Sequence, residues 1–398
     1  MERAGLAIRE EDHTIEAAPS NPQLQEHSTP LNNPIIAKQY SRTKLAVGLV
    51  HTALFLALTL LVLGVGLTVR LELFIRTFAN NDYLVLLGFA FALGAAEGLI
   101  GFPLRFYSGY LLEHRYGLSN QTLTRWFLEG LKASLIGGLL TAPVLAALYW
   151  SLRSFGEFWW LPLGALLFFL TVILARLAPI VLFPLFHKFK PIDDSVLRER
   201  VTALCEMVGM KISGVFVFDM SKNTKKANAA FAGLGKSRRV ILGDNLIANF
   251  TDEEIESVVA HELGHYKLRH LQTMIVVGTA STFAGLYVTA QLYSGSLPWF
   301  GFSAGDSIAA LPLLGLWLAV YSLVTSPIGN VISRAHERAA DRFAVGLTGK
   351  KDAFAHALTK LGRINLADAA PHPVIEFLFH SHPSIGRRIK SLEATQVP

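Results

Sequence analysis

Thr251-Asp-Glu-Glu-Ile-Glu-Ser-Val-Val-Ala-His-Glu-Leu-Gly-His265 reads as the start of one helix that carries chemistry. Thr251 suits an N-cap, Glu254 stands at the capping-box spacing, and Asp252 and Glu253 favour the positive end of a helix dipole. The apolar strip Ile255, Val258 and Val259 leads into His261-Glu262-Leu263-Gly264-His265. On a helix, positions i and i+4 share a face, so two imidazoles can grip one Zn²⁺ while Glu262, one residue along, takes the proton of an attacking water. Such a metal makes water a nucleophile near neutral pH, and the carboxylate passes the proton to the leaving amine.

The flanks of this helix place it at a membrane. Leu271 to Ser333 holds one charged residue, Asp306, in 63 positions, and a Gly, Ser and Pro cluster from Ser294 to Gly305 divides it into two spans. Upstream, Leu45 to Val69 runs 25 residues without a charge, enough to cross a hydrocarbon core of roughly 30 Å. Tyr83 to Leu104, Ala133 to Leu152 and Phe158 to His187 are further spans, interrupted only by Glu97 in the first and Arg176 in the last. Across 398 residues only 17% are charged, against about 25% for a soluble domain.

The expected organisation is a polar leader over 1–43, four membrane helices over 44–187, a catalytic segment over 188–270, two more membrane helices over 271–333 and a second catalytic segment over 334–398. The leader has four prolines and no apolar run, so it does not read as a signal peptide and is expected to be loosely attached. Within 188–270 the pattern turns to mixed α and β. A helix is expected over 195–209 and strands over Gly214–Asp219, Lys226–Ala232 and Arg239–Leu242, with Gly233 and Gly235 turning between the last two. Six spans put both catalytic segments on the side of the N-terminus, where Lys38, Arg42, Lys44, Arg105, Arg115, Arg125, Lys132, Lys188 and Lys190 gather. That side is therefore expected to be cytoplasmic. The net charge of +6 is read as this topology signal and not as nucleic-acid affinity, since no basic cluster with interleaved aromatics occurs.

The single Cys205 excludes a disulfide framework and a multi-cysteine metal site. A catalytic zinc needs a third protein ligand and an open position. His270, five residues past His265, is a poor candidate on a continuing helix. Glu337 and Asp341 in Ser333-Arg-Ala-His-Glu-Arg-Ala-Ala-Asp341 are again i and i+4, so that one can ligate and the other accept an N–H from a ligating His. His336 would be turned about 100° away from them. In His380-Ser-His-Pro-Ser-Ile-Gly-Arg-Arg388, a cationic or N–H donor could stabilise the oxyanion of amide hydrolysis.

From about residue 83 to 390 the chain resembles the integral-membrane zinc metalloproteases of the CAAX prenyl protease type 1 family, also called the a-factor-converting enzyme family. The resemblance rests on Glu113-His-Arg-Tyr-Gly-Leu-Ser-Asn-Gln-Thr-Leu123, Phe189-Lys-Pro-Ile192, Asn228-Ala-Ala-Phe-Ala-Gly233, His261 to His270, Glu337 to Asp341, and Ser381-His-Pro383 with Arg388. It implies one Zn²⁺ on His261, His265 and Glu337, with Glu262 as general base and Asp341 orienting a ligand His. His382 and Arg388 would lie near the scissile carbonyl, and Asn228 and Ala229 on an edge strand that pairs with an extended substrate. The implied fold is mainly α, a ring of membrane helices enclosing a water-filled chamber, with a zincin-like catalytic domain that carries a small β-sheet. Inside such a chamber Glu97 and Arg176 could be solvated. Eukaryotic members have seven membrane helices, and the leader here aligns with the segment after their first helix, so six are expected. The short segments between spans look prokaryotic, which favours a bacterial inner membrane, or the endoplasmic reticulum in a eukaryote.

The expected partners are the bilayer and a peptide or membrane-protein substrate. Two activities fit the protease reading, processing of a lipidated C-terminus and quality-control cleavage of membrane proteins. A transporter or lipid-handling channel with structural zinc is the competitor from another class, and an inactive scaffold a third. A structural site, however, has no use for Glu262 and ordinarily has four protein ligands.

Overall fold

The computed structural model describes residues 33–233 and 238–394. Six of its helices are long and apolar enough to cross a membrane: Pro34–Gly64, Asp82–Arg115, Leu123–Phe158, Trp160–Phe186, His270–Phe300 and Ile308–Thr348. Each expected span finds its helix, and most run beyond the uncharged stretch at one or both ends. The first begins eleven residues before Leu45 (45 − 34), with Asn33 as N-cap accepting from the Ile35 N–H. It stops short of Val69 because Gly66 adopts φ +67°, which breaks the helix before Leu67–Arg76. The leader up to residue 32, and Gly235, lie outside the described residues.

These helices carry large exposed apolar side chains such as Phe91, Leu99 and Leu139, as segments that cross a bilayer require. A second set turns inward: Leu148, Trp159, Leu163, Leu286, Tyr293 and Leu313 form one buried cluster between helices.

Phe189–Pro191 (β1), Gly214–Phe218 (β2), Ala229–Ala232 (β3) and Arg239–Gly243 (β4) form a single sheet in the order β1-β2-β4-β3. β2 and β4 are parallel, while β1 and β3 run antiparallel to their neighbours and occupy the edges. The three expected strands are present, the one expected over Lys226–Ala232 starting only at Ala229. β1 escaped notice because three residues around Pro191 give too short a pattern to show a period. Behind the sheet, Leu197, Val201 and Leu204 of Ser195–Met207 pack with Val240, Leu242, Ile255 and Val259 in the core. Asp252–Lys267 carries the expected capping box, Thr251 and Glu254 each accepting from the other's backbone N–H, worth about 1 kcal/mol.

The composition break at Ser333/Arg334 is not a break in structure. Leu311–Thr348 is one helix of 38 residues, so the last span runs without a joint into the segment bearing Glu337 and Asp341. It packs closely against Asp252–Lys267. A Cβ on Gly264 would lie 3.0 Å from Ala340 Cα and 3.2 Å from Ala340 O. Gly264→Ala should therefore push the two helices apart at a cost of about 1–3 kcal/mol, visible as a lower thermal midpoint and weaker metal binding together. An unchanged midpoint would mean that the helices have slack.

Candidate active site

His261 and His265 point from the last turns of Asp252–Lys267 toward Glu337 on Leu311–Thr348. Their Nε2 atoms are 3.1 Å apart. His261 Nε2 lies 3.5 Å from Glu337 Oε2, and His265 Nε2 3.2 Å from Glu337 Oε1. One ligand atom from each of the three lies within 4.8 Å of the others. Two imidazoles and a buried carboxylate, whose Oε2 finds no hydrogen-bond partner among the described residues, form a donor set that a small divalent cation would satisfy.

Around these atoms a second layer fixes ring orientation. His261 Nδ1 donates to Asp341 Oδ1 at 2.8 Å. Arg388 grips Asp341 with both arms, Nη2 to Oδ1 at 2.6 Å and Nε to Oδ2 at 2.9 Å. A two-pronged, nearly buried pair of this kind holds a carboxylate rigidly. His382, mostly exposed, reaches Glu337 Oε1 with Nε2 at 3.4 Å. The cavity against these groups is about 780 Å³ and is also lined by Glu262, Asn228 and Ala229, so the structure brings every expected site residue to one place.

His270 lies outside the trio, as its poor rating as a ligand implied, but its contact with His265 was not foreseen. Its Nδ1 lies 3.0 Å from His265 Nδ1, the relation that Asp341 has to His261. The helix ends at Lys267 and Arg269 is left-handed at φ +58°, so the chain folds back and helical spacing does not govern position 270. His336 stacks on the His270 ring at 4.0 Å and stays outside the converging trio. Positive φ at a non-glycine leaves no mark in sequence, although a His just past a zinc-motif helix is worth testing as a ring orienter.

Burial pushes the Glu262 carboxyl above its usual range, against the pull of the His261 and His265 rings. Burial would lower His261, but hydrogen bonds to Asp341 and Glu337 outweigh it and raise the ring to about 9. A proton on His261 Nε2 would compete with a cation for that nitrogen. At pH 7, below this value, metal binding should release about one proton per ion, and affinity should rise about tenfold per pH unit toward pH 9. Calorimetry in buffers of different ionisation enthalpy measures this. Release near zero would mean that His261 is already neutral.

Comparison with known proteins agrees with this geometry. The profile described as peptidase family M48 matches residues 191–396, and that of the CAAX prenyl protease N-terminal region, five membrane helices, matches 20–188. The described residues of the latter region hold four such helices. The chain is 27% identical over 362 residues to an uncharacterized metalloprotease of Bacillus subtilis, YhfN, covering 90% of this chain and 85% of that one. It is 31% identical to the CAAX prenyl protease 1 homolog of Oryza sativa, covering 79% and 75%. The crystal structure of S. mikatae Ste24p superposes with a TM-score of 0.80 at 26% identity, covering 90% of this chain and 88% of that one. With a His261, His265 and Glu337 trio that could hold a metal ion beside Glu262 and six apolar helices among its described residues, the chain belongs to peptidase family M48 and is a multipass membrane metalloendopeptidase.

Proposed function

We propose that this chain cleaves extended segments of membrane-associated proteins or peptides at one Zn²⁺ held by His261, His265 and Glu337. The observation that carries this is the convergence of those three side chains in a cavity that Glu262 and the start of β3 also line. Among the described residues β3 pairs with β4 on one side only, and an edge of this kind can add a substrate strand with little demand on its sequence. Ala229 begins β3, and Asn228 stands just before it with its carbonyl accepting from the Gly243 N–H at 2.9 Å.

When bound, Zn²⁺ supplies a Lewis acid that makes water nucleophilic near neutral pH. Glu262 takes the proton from the attacking water and delivers it to the leaving nitrogen, a role that a carboxyl raised by burial fits. Asp341, clamped by Arg388, fixes His261, while His270 fixes His265. His382, exposed at the rim, donates to the oxyanion that forms on the scissile carbonyl. Arg388 acts mainly through Asp341, so Arg388→Lys should weaken metal binding about 10–100-fold, and unchanged affinity would return it to the oxyanion side alone.

A second cavity of about 540 Å³ shares Ser41, Asn365, Ala367 and Phe379 with the first and continues along Leu45, Gly48, Leu49 and Thr52 of the first membrane helix. The cleft thus continues along an apolar stretch of the first membrane helix, which suits a substrate carrying an apolar or lipidated end. We place the catalytic segments on the cytoplasmic side. The other side holds Arg70, Arg76 and Arg153, of which Arg76 pairs with Glu72 and Asp82 and Arg153 with Asp82, while the site side holds the excess of Lys and Arg.

The test is cleavage of a quenched, membrane-anchored peptide by detergent-purified protein, with a chelator control and a prenylated twin. Faster cleavage of the prenylated peptide supports processing of lipidated C-termini. Equal rates would overturn that role and leave a general membrane endopeptidase.

A further inference from the structure

Glu113 lies where the second membrane helix leaves its regular path. A π turn at Tyr107–Leu111 interrupts the helix, which resumes over Leu112–Arg115. The Glu113 side chain is 12% exposed, and both of its oxygens are engaged. Oε1 accepts from Tyr40 Oη at 2.6 Å and from Lys44 Nζ, both on the first membrane helix. Oε2 lies 2.9 Å from Lys226 Nζ, which also donates to Tyr40 Oη at 3.0 Å. Two membrane helices and the approach to β3 therefore meet on one carboxylate.

Bonds from the chain's own N–H groups lie next to this junction. Lys225 N–H donates to Leu118 O at 2.9 Å, and Ala227 N–H donates to Asn365 Oδ1 at 3.1 Å. The residues held in this way are those immediately before Asn228 and Ala229. Here a largely buried carboxylate is shared by three segments through partly exposed lysines, and removing one member leaves the others unpaired.

We propose that Glu113 is a positioning residue for the reaction: through Lys226 it holds residues 226–229 in the extended conformation that receives the substrate, so that the helix ring and the substrate strand move as one body. The proposal rests on the reading of β3 as the strand that pairs with substrate. It requires that breaking the junction loosen substrate capture while the zinc ligands, held by other helices, keep their geometry.

The experiment compares a cleavable peptide with versions N-methylated at each backbone amide in turn, on wild-type, Glu113→Gln, Lys226→Met and Lys226→Arg proteins, with metal content measured for each. In the wild type, methylating an amide that pairs with β3 should raise KM about tenfold, the worth of one main-chain hydrogen bond. In Glu113→Gln and Lys226→Met, KM for the plain peptide should rise about tenfold, kcat should stay within about threefold, metal should remain stoichiometric, and the N-methyl penalty should shrink to about twofold. Lys226→Arg keeps the charge and should behave as wild type. Should Glu113→Gln fail to fold, Lys226→Met, whose side chain is the more exposed of the pair, carries the test alone. Lys226→Met with wild-type KM and the full N-methyl penalty would overturn the proposal and leave the edge-strand reading intact. Loss of kcat and metal together would also overturn it, reducing Glu113 to a support of the fold. A wild-type enzyme indifferent to methylation at every position would overturn the edge-strand reading itself.

Discussion

Glu262→Gln protein is expected to fold, bind its metal with wild-type stoichiometry and lose peptide hydrolysis by about 10²–10⁴-fold. The amide is nearly isosteric with the carboxylate and keeps the packing of Asp252–Lys267, but it cannot accept and pass on a proton. Nor does it disturb the metal ligands: His261 is fixed by Asp341 at 2.8 Å and His265 by His270 at 3.0 Å, and neither bond involves Glu262. Burial raises the Glu262 carboxyl, so the neutral amide stabilises the metal-free site, and the variant's thermal midpoint should not fall. Turnover above a few per cent with metal in place would take the general-base role from Glu262. Loss of metal alongside activity would instead make it a ligand or a support for one.

The parts of this architecture that could be read from sequence are those set by local periodicity. Each span is a long apolar run between charges, and a bilayer admits little else for such a run. His261, Glu262 and His265 declare themselves because the chemistry fixes their spacing on one helix. The capping box at Thr251 and Glu254 is likewise a three-residue signal. The features that could not be read depend on contacts between distant segments. The continuity of Leu311–Thr348 was hidden because its composition changes at Arg334 where the uncharged run ends, although its backbone does not change. The choice between Glu337 and Asp341 rested on resemblance to a family. Geometry now separates them, because Glu337 faces both imidazole Nε2 atoms while Asp341 faces the far nitrogen of His261 and the fork of Arg388. The role of Arg388 was obscured in the same way, since its partner lies 47 residues earlier. His270 escaped because a left-handed Arg269 cancels the helical rule by which it was judged, and the meeting of Tyr40, Lys44, Glu113 and Lys226 joins residues up to 186 apart.

That separation of Glu337 from Asp341 predicts a graded loss of metal. Asp341→Asn keeps an acceptor for His261 Nδ1 and removes a charge from the pair with Arg388, so affinity should fall about 10–100-fold. Glu337→Ala removes a ligand atom outright and leaves Arg388, whose Nη1 lies 3.7 Å from Glu337 Oε2, facing two imidazoles across the gap. A cation added to that gap would meet a guanidinium with no carboxylate between them, so the loss should exceed that of Asp341→Asn by at least another factor of about 10. His265→Ala should resemble Glu337→Ala, because it too leaves only two protein ligands. Equilibrium dialysis against buffered zinc on the three variants measures the order. Stoichiometric zinc in Glu337→Ala under conditions that strip His265→Ala would move the third ligand elsewhere, and Asp341 would then be the group to test, as it lies one helical turn along the same face.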